Sequence, residues 1–306
     1  MTTHRSNKKI TVLSGGPSAE REVSLSTGKA IQAALEELGH TVTMVDPDHT
    51  LFTVLKNNQP DLVFNALHGT FGEDGVIQGC LEWLNLPYTG SKLKASAMAM
   101  DKALSRTLFK SVNVPVAEGI VWNYNTPLPS VNQVPAGGLI VKPTNEGSSV
   151  GLDQVNSYEE LCHILKAKTE HGPQEWLIES YLEGQEVSVV VFDDEVWGSV
   201  EIEPSVGLYD YEAKYTRGDT TYHCPPRISH TTLTRLETYA LKAYKILSCS
   251  GVARIDFITN EQQDITLELN TLPGMTSTSL VPKVAAERGI SFVRLVELII
   301  ESALKG

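Results

Sequence analysis

The sequence predicts a mixed α/β and α+β architecture: an N-terminal domain with helices wound on both faces of a parallel sheet, then a two-part α+β unit. Three observations predict it. Apolar runs alternate with helix-period segments over residues 10–90, strands cluster ahead of helices afterwards, and Gly or Pro turns punctuate both parts.

The chain opens with a strand at 10–13, a Gly15-Gly16-Pro17-Ser18 loop, and a helix with Ile31, Ala34, Leu35 and Leu38 on one face, which Gly39 stops. Strands at 41–45 and 61–65 follow with a short helical segment between them, as parallel pairing with crossovers requires. The next helix places Val76, Ile77, Cys80, Leu81 and Leu84 together and ends at the turn Pro87-Tyr88-Thr89-Gly90, the first boundary. The middle part opens with one helix over 91–110, then strands near 116–121 and 139–142 around the Pro- and Asn-rich stretch 123–135. Strands at 186–192 and 196–203, a polar loop at 204–226, a helix at 232–247 and a hairpin at 252–270 complete the chain.

With 41% apolar and 20% charged residues, the 306-residue chain can bury a large core. Its net charge of -12 argues against nucleic acid or an anionic membrane as the main partner, because both need concentrated Lys and Arg. Cys80, Cys162, Cys224 and Cys249 form no C-x-x-C pair and show no zinc spacing, so they read as reduced, mostly buried thiols of a cytoplasmic protein. Residues 1–10 lack a signal-peptide core, and no stretch is apolar enough for a membrane span.

The densest chemistry lies in the hairpin. Arg254 and Asp256 share one face of their strand, as do Glu268 and Asn270 of theirs, with Leu267 and Leu269 on the other face. A turn centred on Gln262 sets Asp256 opposite Glu268 and Arg254 opposite Asn270. Opposed carboxylates repel. A divalent cation removes that penalty, and Asp, Glu and Asn oxygens are hard ligands of the kind Mg2+ takes alongside phosphates. A solvated face with Arg254 neutralising a neighbour carries the same pattern. The next segment, with Pro273, Gly274, Ser279 and Leu280, makes a hydroxyl-rich turn entering a helix, an arrangement that suits an anion. Neither the P-loop nor the dinucleotide fingerprint occurs. Instead, Lys142 ends a strand and leads into Glu146-Gly147-Ser148-Ser149-Val150-Gly151, which fits a phosphate cover and an ordinary polar loop alike.

Taken in order, Gly15-Gly16 with Ser18 to Ser24, Leu67-His68-Gly69, Gly72-Glu73-Asp74-Gly75, Tyr88 to Ser91, Met100-Asp101-Lys102, Lys142-Pro143, Glu146 to Gly151, Tyr209 to Tyr215, Arg254-Ile255-Asp256, Glu268-Leu269-Asn270 and Pro273 to Thr276 resemble the D-alanine:D-alanine ligases of the ATP-grasp superfamily. The resemblance implies a Rossmann-like substrate domain at 1–95, a central ATP-grasp subdomain at 96–182, and a C-terminal one with lid and metal site at 183–306. It implies ATP-dependent joining of two D-alanines through a D-alanyl phosphate, for peptidoglycan. A D-alanine:D-lactate ligase, or another ATP-grasp carboxylate-amine ligase, is the alternative.

By the same resemblance, Asp256, Glu268 and Asn270 hold two Mg2+ ions, for which Mn2+ can substitute, and Arg254 steadies the acyl phosphate. Lys102, Lys142, Ser148 and Lys214 meet the nucleotide phosphates, while Glu179, Leu182 and Glu186 line the adenine and ribose hinge. Ser180 departs from the lysine common in the family at that hinge. Glu20 anchors the first substrate's ammonium group, and His68 lies near its carboxylate. Gly274, Ser279 and Leu280 receive the second substrate's carboxylate. The loop 207–226 is the lid, carrying Lys214 and placing Tyr215 in a hydrogen-bonded set with Ser148 and Glu20. Tyr215 stands where D-lactate-using relatives commonly carry Phe, and so favours an amine nucleophile. The implied partners are small molecules and a second copy of the chain.

Overall fold

The structure, a computed structural model, describes residues 7–147, 151–168, 174–205, 219–260, 262–276 and 279–305. Strands β1 (Lys9–Leu13), β2 (Thr41–Val45) and β3 (Leu62–Asn65) form a parallel sheet in the order β2-β1-β3. Ile10 and Val12 of β1 pack with Ile31, Ala34 and Leu35 of α1 (Arg21–Glu37). Leu13 points the opposite way, against Leu51 and Leu55 of α2 (Leu51–Asn58) and Ile77 and Leu81 of α3 (Val76–Trp83). This strand is therefore buried on both faces, which makes the sheet doubly wound as its apolar runs predict. Val76 departs from expectation. It is 48% exposed because it shares the outward side of α3 with Trp83, seven residues on, while Ile77 and Leu81 turn inward.

The single helix expected over 91–110 is two, α4 (Leu93–Met100) and α5 (Lys102–Ser111). Asp101 between them is extended, and its carboxylate accepts the Leu104 N–H at 3.0 Å, capping α5. Strands β4 (Gly119–Asn123), β5 (Leu139–Pro143), β6 (Asp153–Val155) and β7 (Glu175–Ser180) make an antiparallel sheet in the order β4-β7-β5-β6. Helix α6 (Tyr158–Lys168) covers it through Leu161 and Leu165.

A second antiparallel sheet, in the order β10-β9-β8-β11-β12, comprises β8 (Gln185–Phe192), β9 (Glu195–Glu203), β10 (Thr221–His223), β11 (Val252–Thr259) and β12 (Asp264–Asn270). β10 interrupts the stretch that reads as polar loop; its ladder to β9, not its own composition, makes it a strand. One face of this sheet, with Val187, Val189, Ala253 and Ile255, packs on α4, α5 and α7 (His230–Ile246). The other meets α8 (Leu280–Glu287) and α9 (Phe292–Ala303). Because α9 also packs on α1, one core runs from the parallel sheet to the C-terminal sheet. All four cysteines are free but only partly buried, since they sit on helices or at element ends instead of inside sheets. No helix among the described residues is long and apolar enough to cross a membrane.

Candidate active site

The expected pairs are present, Asp256 with Glu268 and Arg254 with Asn270, but the turn is not centred on Gln262, since Thr259 pairs with Asp264. Asn260 closes the turn, its side-chain oxygen accepting from the N–H groups of Gln262 and Gln263 at 2.9 and 3.0 Å. The alternation then breaks. Phe257 pairs with Thr266, so Leu267 is an extra residue in the ladder, a bulge beside the carboxylate pair. Leu267 and Glu268 consequently line the same cavity, where strict alternation would put them on opposite faces.

Each carboxylate is matched by a cation. Arg254 donates to Asp256 from Nε and Nη2, both at 2.8 Å, and the buried Ser188 hydroxyl on the neighbouring strand donates to Asp256 Oδ1 at 2.6 Å. Lys102 Nζ lies 3.2 Å from Glu268 Oε2 and donates to the Glu146 carbonyl at 2.6 Å. Asn270 turns its amide oxygen to the Leu272 N–H at 2.8 Å, which holds the start of the Pro273-Gly274 turn. Ser188 was not evident from motif spacing; its signal is a lone hydroxyl within the apolar run of β8, in register with Asp256.

Two cavities meet at this face, and Lys102 and Glu268 line both. The smaller, of about 90 Å³, gathers Glu20, His68, Arg254, Asn270, Gly274, Ser279 and Leu280 from distant parts of the chain. Glu20 stands at the start of α1 without capping it. A Cβ on Gly69 would come within 2.8 Å of its Oε2, and one on Gly147 within 3.1 Å, so two glycines admit its carboxylate between them. His68 is buried, with Nε2 3.0 Å from Thr27 Oγ1 and Nδ1 3.2 Å from Glu73 Oε1. These partners fix the ring at the C-terminal end of β3, where open α/β sheets bind ligands. Ser279 precedes α8 but its hydroxyl serves the turn, accepting the Thr276 N–H at 3.0 Å.

The larger cavity, of about 450 Å³, lies between the two antiparallel sheets. Ile140, Leu182, Ile202, Ile258, Ile265 and Leu267 supply apolar lining; Lys142, Glu179, Glu186, Asp256 and Glu268 supply charge. Its size and mixed lining suit a nucleotide base and sugar. Glu179, expected simply as a hinge contact, is buried and pairs with both Lys142 and Arg106. Arg106 was missed. Its signal is a second cation four residues after Lys102 on one helix. Ser180 and Tyr181 spend their N–H groups on Glu118 O and Gly138 O, both at 2.8 Å. On the far rim, Glu201 accepts from Arg227 Nη2 at 2.8 Å and Gln185 Nε2 at 3.0 Å. Ser148, Lys214 and Tyr215 lie outside the described residues.

The donor set fits Mg2+. Asp256 and Glu268 are in register and line the larger cavity, and Asn270, opposite Arg254, lines the smaller one beside Glu268. Among the described residues, no group of three or more His, Cys, Asp or Glu side chains is placed to hold a metal ion, so the set rests on two carboxylates and the Asn270 amide.

Two antiparallel sheets enclosing a nucleotide-sized cavity, beside a parallel-sheet domain that helps line a second pocket, define the ATP-grasp class of ligases. The model of the D-ala D-ala ligase C-terminus matches residues 126–301, and that of the N-terminus matches residues 48–91. A D-alanine--D-alanine ligase from Anaeromyxobacter sp. (strain K) is 44% identical over 303 residues, 97% of each chain. One from Mannheimia succiniciproducens is 43% identical over 300 residues, covering 96% of this chain and 97% of the relative. The crystal structure of a D-alanine--D-alanine ligase from Bacillus anthracis complexed with ATP superposes with a TM-score of 0.86 at 29% identity, over 97% of this chain and 98% of that one. The chain belongs to the D-alanine--D-alanine ligase family.

Proposed function

We propose that this chain joins two molecules of D-alanine into D-alanyl-D-alanine for peptidoglycan, at the expense of ATP. The observation that carries the chemistry is the junction of the two cavities at Lys102 and Glu268, which sets a small-substrate pocket against a nucleotide pocket. The full-length relatives favour this reading over a D-lactate-using ligase.

In this reading the adenine lies against Glu179, Leu182 and Glu186, and the N–H of Leu182 is the hinge's next backbone donor. Lys102 and Lys142 hold the phosphates, with Ser148 and Lys214 assigned there by resemblance. Glu20 takes the ammonium of the first D-alanine and His68 lies by its carboxylate. That carboxylate attacks the γ-phosphorus in line, and ADP leaves. Asp256, Glu268 and Asn270 would hold Mg2+, which when bound would supply charge neutralisation for the phosphates. The second D-alanine docks its carboxylate at Gly274, Ser279 and Leu280, where α8 begins and its N-terminal dipole favours an anion. Its amine attacks the acyl carbon, loses a proton, and expels phosphate. Arg254, held in plane by Asp256, faces the oxyanion that forms. Tyr215 selects the amine.

The test is D-alanine-dependent ADP release with Mg2+ or Mn2+, compared with L-alanine and with D-lactate mixtures. ADP release that ignores D-alanine would sink the ligase reading. Tyr215→Phe is expected to raise depsipeptide formation when D-lactate is supplied; an unchanged product ratio refutes its selecting role.

We further propose working domains near the divisions 1–95, 96–182 and 183–306, each holding one sheet, with the first boundary moved ahead of α4, which a cut at 95 would split, and with α5 and α9 packing across them. A cytoplasmic setting suits the ATP supply and the four free cysteines. Val76, Leu93 and Trp83, the last 85% exposed, form an apolar patch on α3 and α4 that supports a homodimer; sedimentation of Trp83→Glu tests it.

A further inference from the structure

Arg106 belongs to none of the roles assigned above, yet it is among the most deeply buried charges in the molecule, at 6% exposure. It stands behind the nucleotide cavity, outside its lining. One end of its guanidinium pairs with Glu179 Oε2, and Nη2 donates to the Ala117 carbonyl at 2.7 Å. Lys142 takes the other oxygen, Oε1. Glu179 itself is 4% exposed and lines the cavity. Burial pulls the Arg106 pKa below the ordinary arginine value and the Glu179 charge opposes that pull, so the guanidinium stays charged.

A buried trio of two cations and one anion is a poor way to stabilise a fold, because apolar side chains of similar volume do so at least as well. Its chemical consequence is sharper. A carboxylate clamped by a cation on each oxygen offers acceptors alone to a ligand, and each oxygen keeps lone-pair capacity beyond its one cation. Adenine presents an exocyclic amine, a donor. Guanine and hypoxanthine present a carbonyl oxygen at that position, an acceptor that would oppose another acceptor in a desolvated site.

We propose that Arg106 is the positioning residue for base selectivity: it holds Glu179 as an acceptor-only wall, so that the cavity selects a 6-aminopurine over a 6-oxopurine nucleotide. This rests on the reading of the larger cavity as the ATP site. It assigns the discrimination to a residue that touches no substrate, four residues along α5 from Lys102.

The test measures dissociation constants of Mg2+-ATP and Mg2+-ITP on the full chain by calorimetry, separately from ligation. Wild type is expected to bind ITP roughly 10- to 100-fold more weakly, the range for leaving a buried polar group unpaired. Arg106→Met should bring the two within about 3-fold, chiefly by weakening ATP, since Lys142 alone no longer fixes the carboxylate. Arg106→Lys should restore part of the gap. If Arg106→Met does not fold, Glu179→Gln preserves shape while adding a donor that welcomes the 6-oxo group, and should narrow the ratio likewise. Equal affinities in wild type, or a variant that weakens both nucleotides by one factor, overturn the proposal. Equal affinities with D-alanine-dependent turnover intact would sink this inference alone; an intact ATP preference without such turnover would sink the ligase reading alone.

Discussion

Asp256 and Glu268 on one wall of the nucleotide cavity, and Glu201 and Glu203 on its rim, are both pairs of acidic residues facing the same space, but they are balanced differently. At the rim, one arginine from a neighbouring loop meets both carboxylates: Arg227 bridges Glu201 at 2.8 Å and Glu203 at 2.9 Å, and His223 Nε2 adds a contact to Glu203 at 2.9 Å. That set is closed on itself, and Arg227 is half exposed. On the inner wall the cations come from opposite directions, Arg254 from the hairpin and Lys102 from α5, and both also line the substrate pocket. The rim therefore reads as a structural clasp. The inner wall brings two anions and two cations together, and under the proposed reading metal and phosphate would enter by exchanging partners with them.

The largest effect that would break this comparison is at Glu268. Glu268→Gln should lower ligation by about 10³-fold, as losses of transition-state charge stabilisation do, while circular dichroism and Tm stay near wild type. Near-normal turnover would mean that the inner wall holds no metal. Next is Ser188→Ala, which removes the 2.6 Å hydrogen bond to Asp256 without touching substrate. Loss of such a supporting contact is expected to weaken Mg2+ about 10-fold, read as the Mg2+ concentration for half-maximal rate at saturating ATP. An unchanged Mg2+ dependence would show that Asp256 needs no such support.

The smallest effect is at the rim, and it depends on pH. The hydrogen bond from Arg227 pulls the Glu201 pKa down to about 2, against the opposing effect of burial. A depressed folded-state pKa contributes stability that is present above the unfolded glutamate value and lost as pH falls toward 2. Arg227→Met should thus lower Tm at neutral pH, with the gap to wild type closing as pH drops through that window. Its ligation rate should change far less than that of Glu268→Gln. A gap that does not vary with pH would refute the assignment of the rim as an ionic clasp.

Much of this site was legible along the chain because the signals are local. Period-2 alternation and a short polar turn place Asp256 and Glu268 on facing strands, but the ladder beside the turn, Thr259 with Asp264 and Phe257 with Thr266, would by itself set Asp256 against Leu267; the extra residue brings Glu268 opposite. The split at Asp101 was legible in principle, since an aspartate three residues before the Leu104 N–H is an ordinary cap, but helical periodicity on both sides hid it. The Leu267 bulge was not legible, because one extra residue in a ladder leaves no mark in composition. Nor was the meeting of Arg106, Lys142 and Glu179, which come from α5, β5 and β7.

By itself, then, the sequence determined the order of motifs, the parallel character of the first sheet and the placing of the two carboxylates on the two strands of one hairpin. All of these follow from neighbours within a few residues. The tertiary structure alone decided which distant charges meet: that Lys102 answers Glu268, that Arg106 stands behind Glu179, that Glu20 enters a gap between Gly69 and Gly147. It also decided that α9 ties the first sheet to the last. The physical reason is that backbone periodicity is set by local sterics, whereas the partner of a buried charge is set by packing of whole elements, which no window of sequence contains.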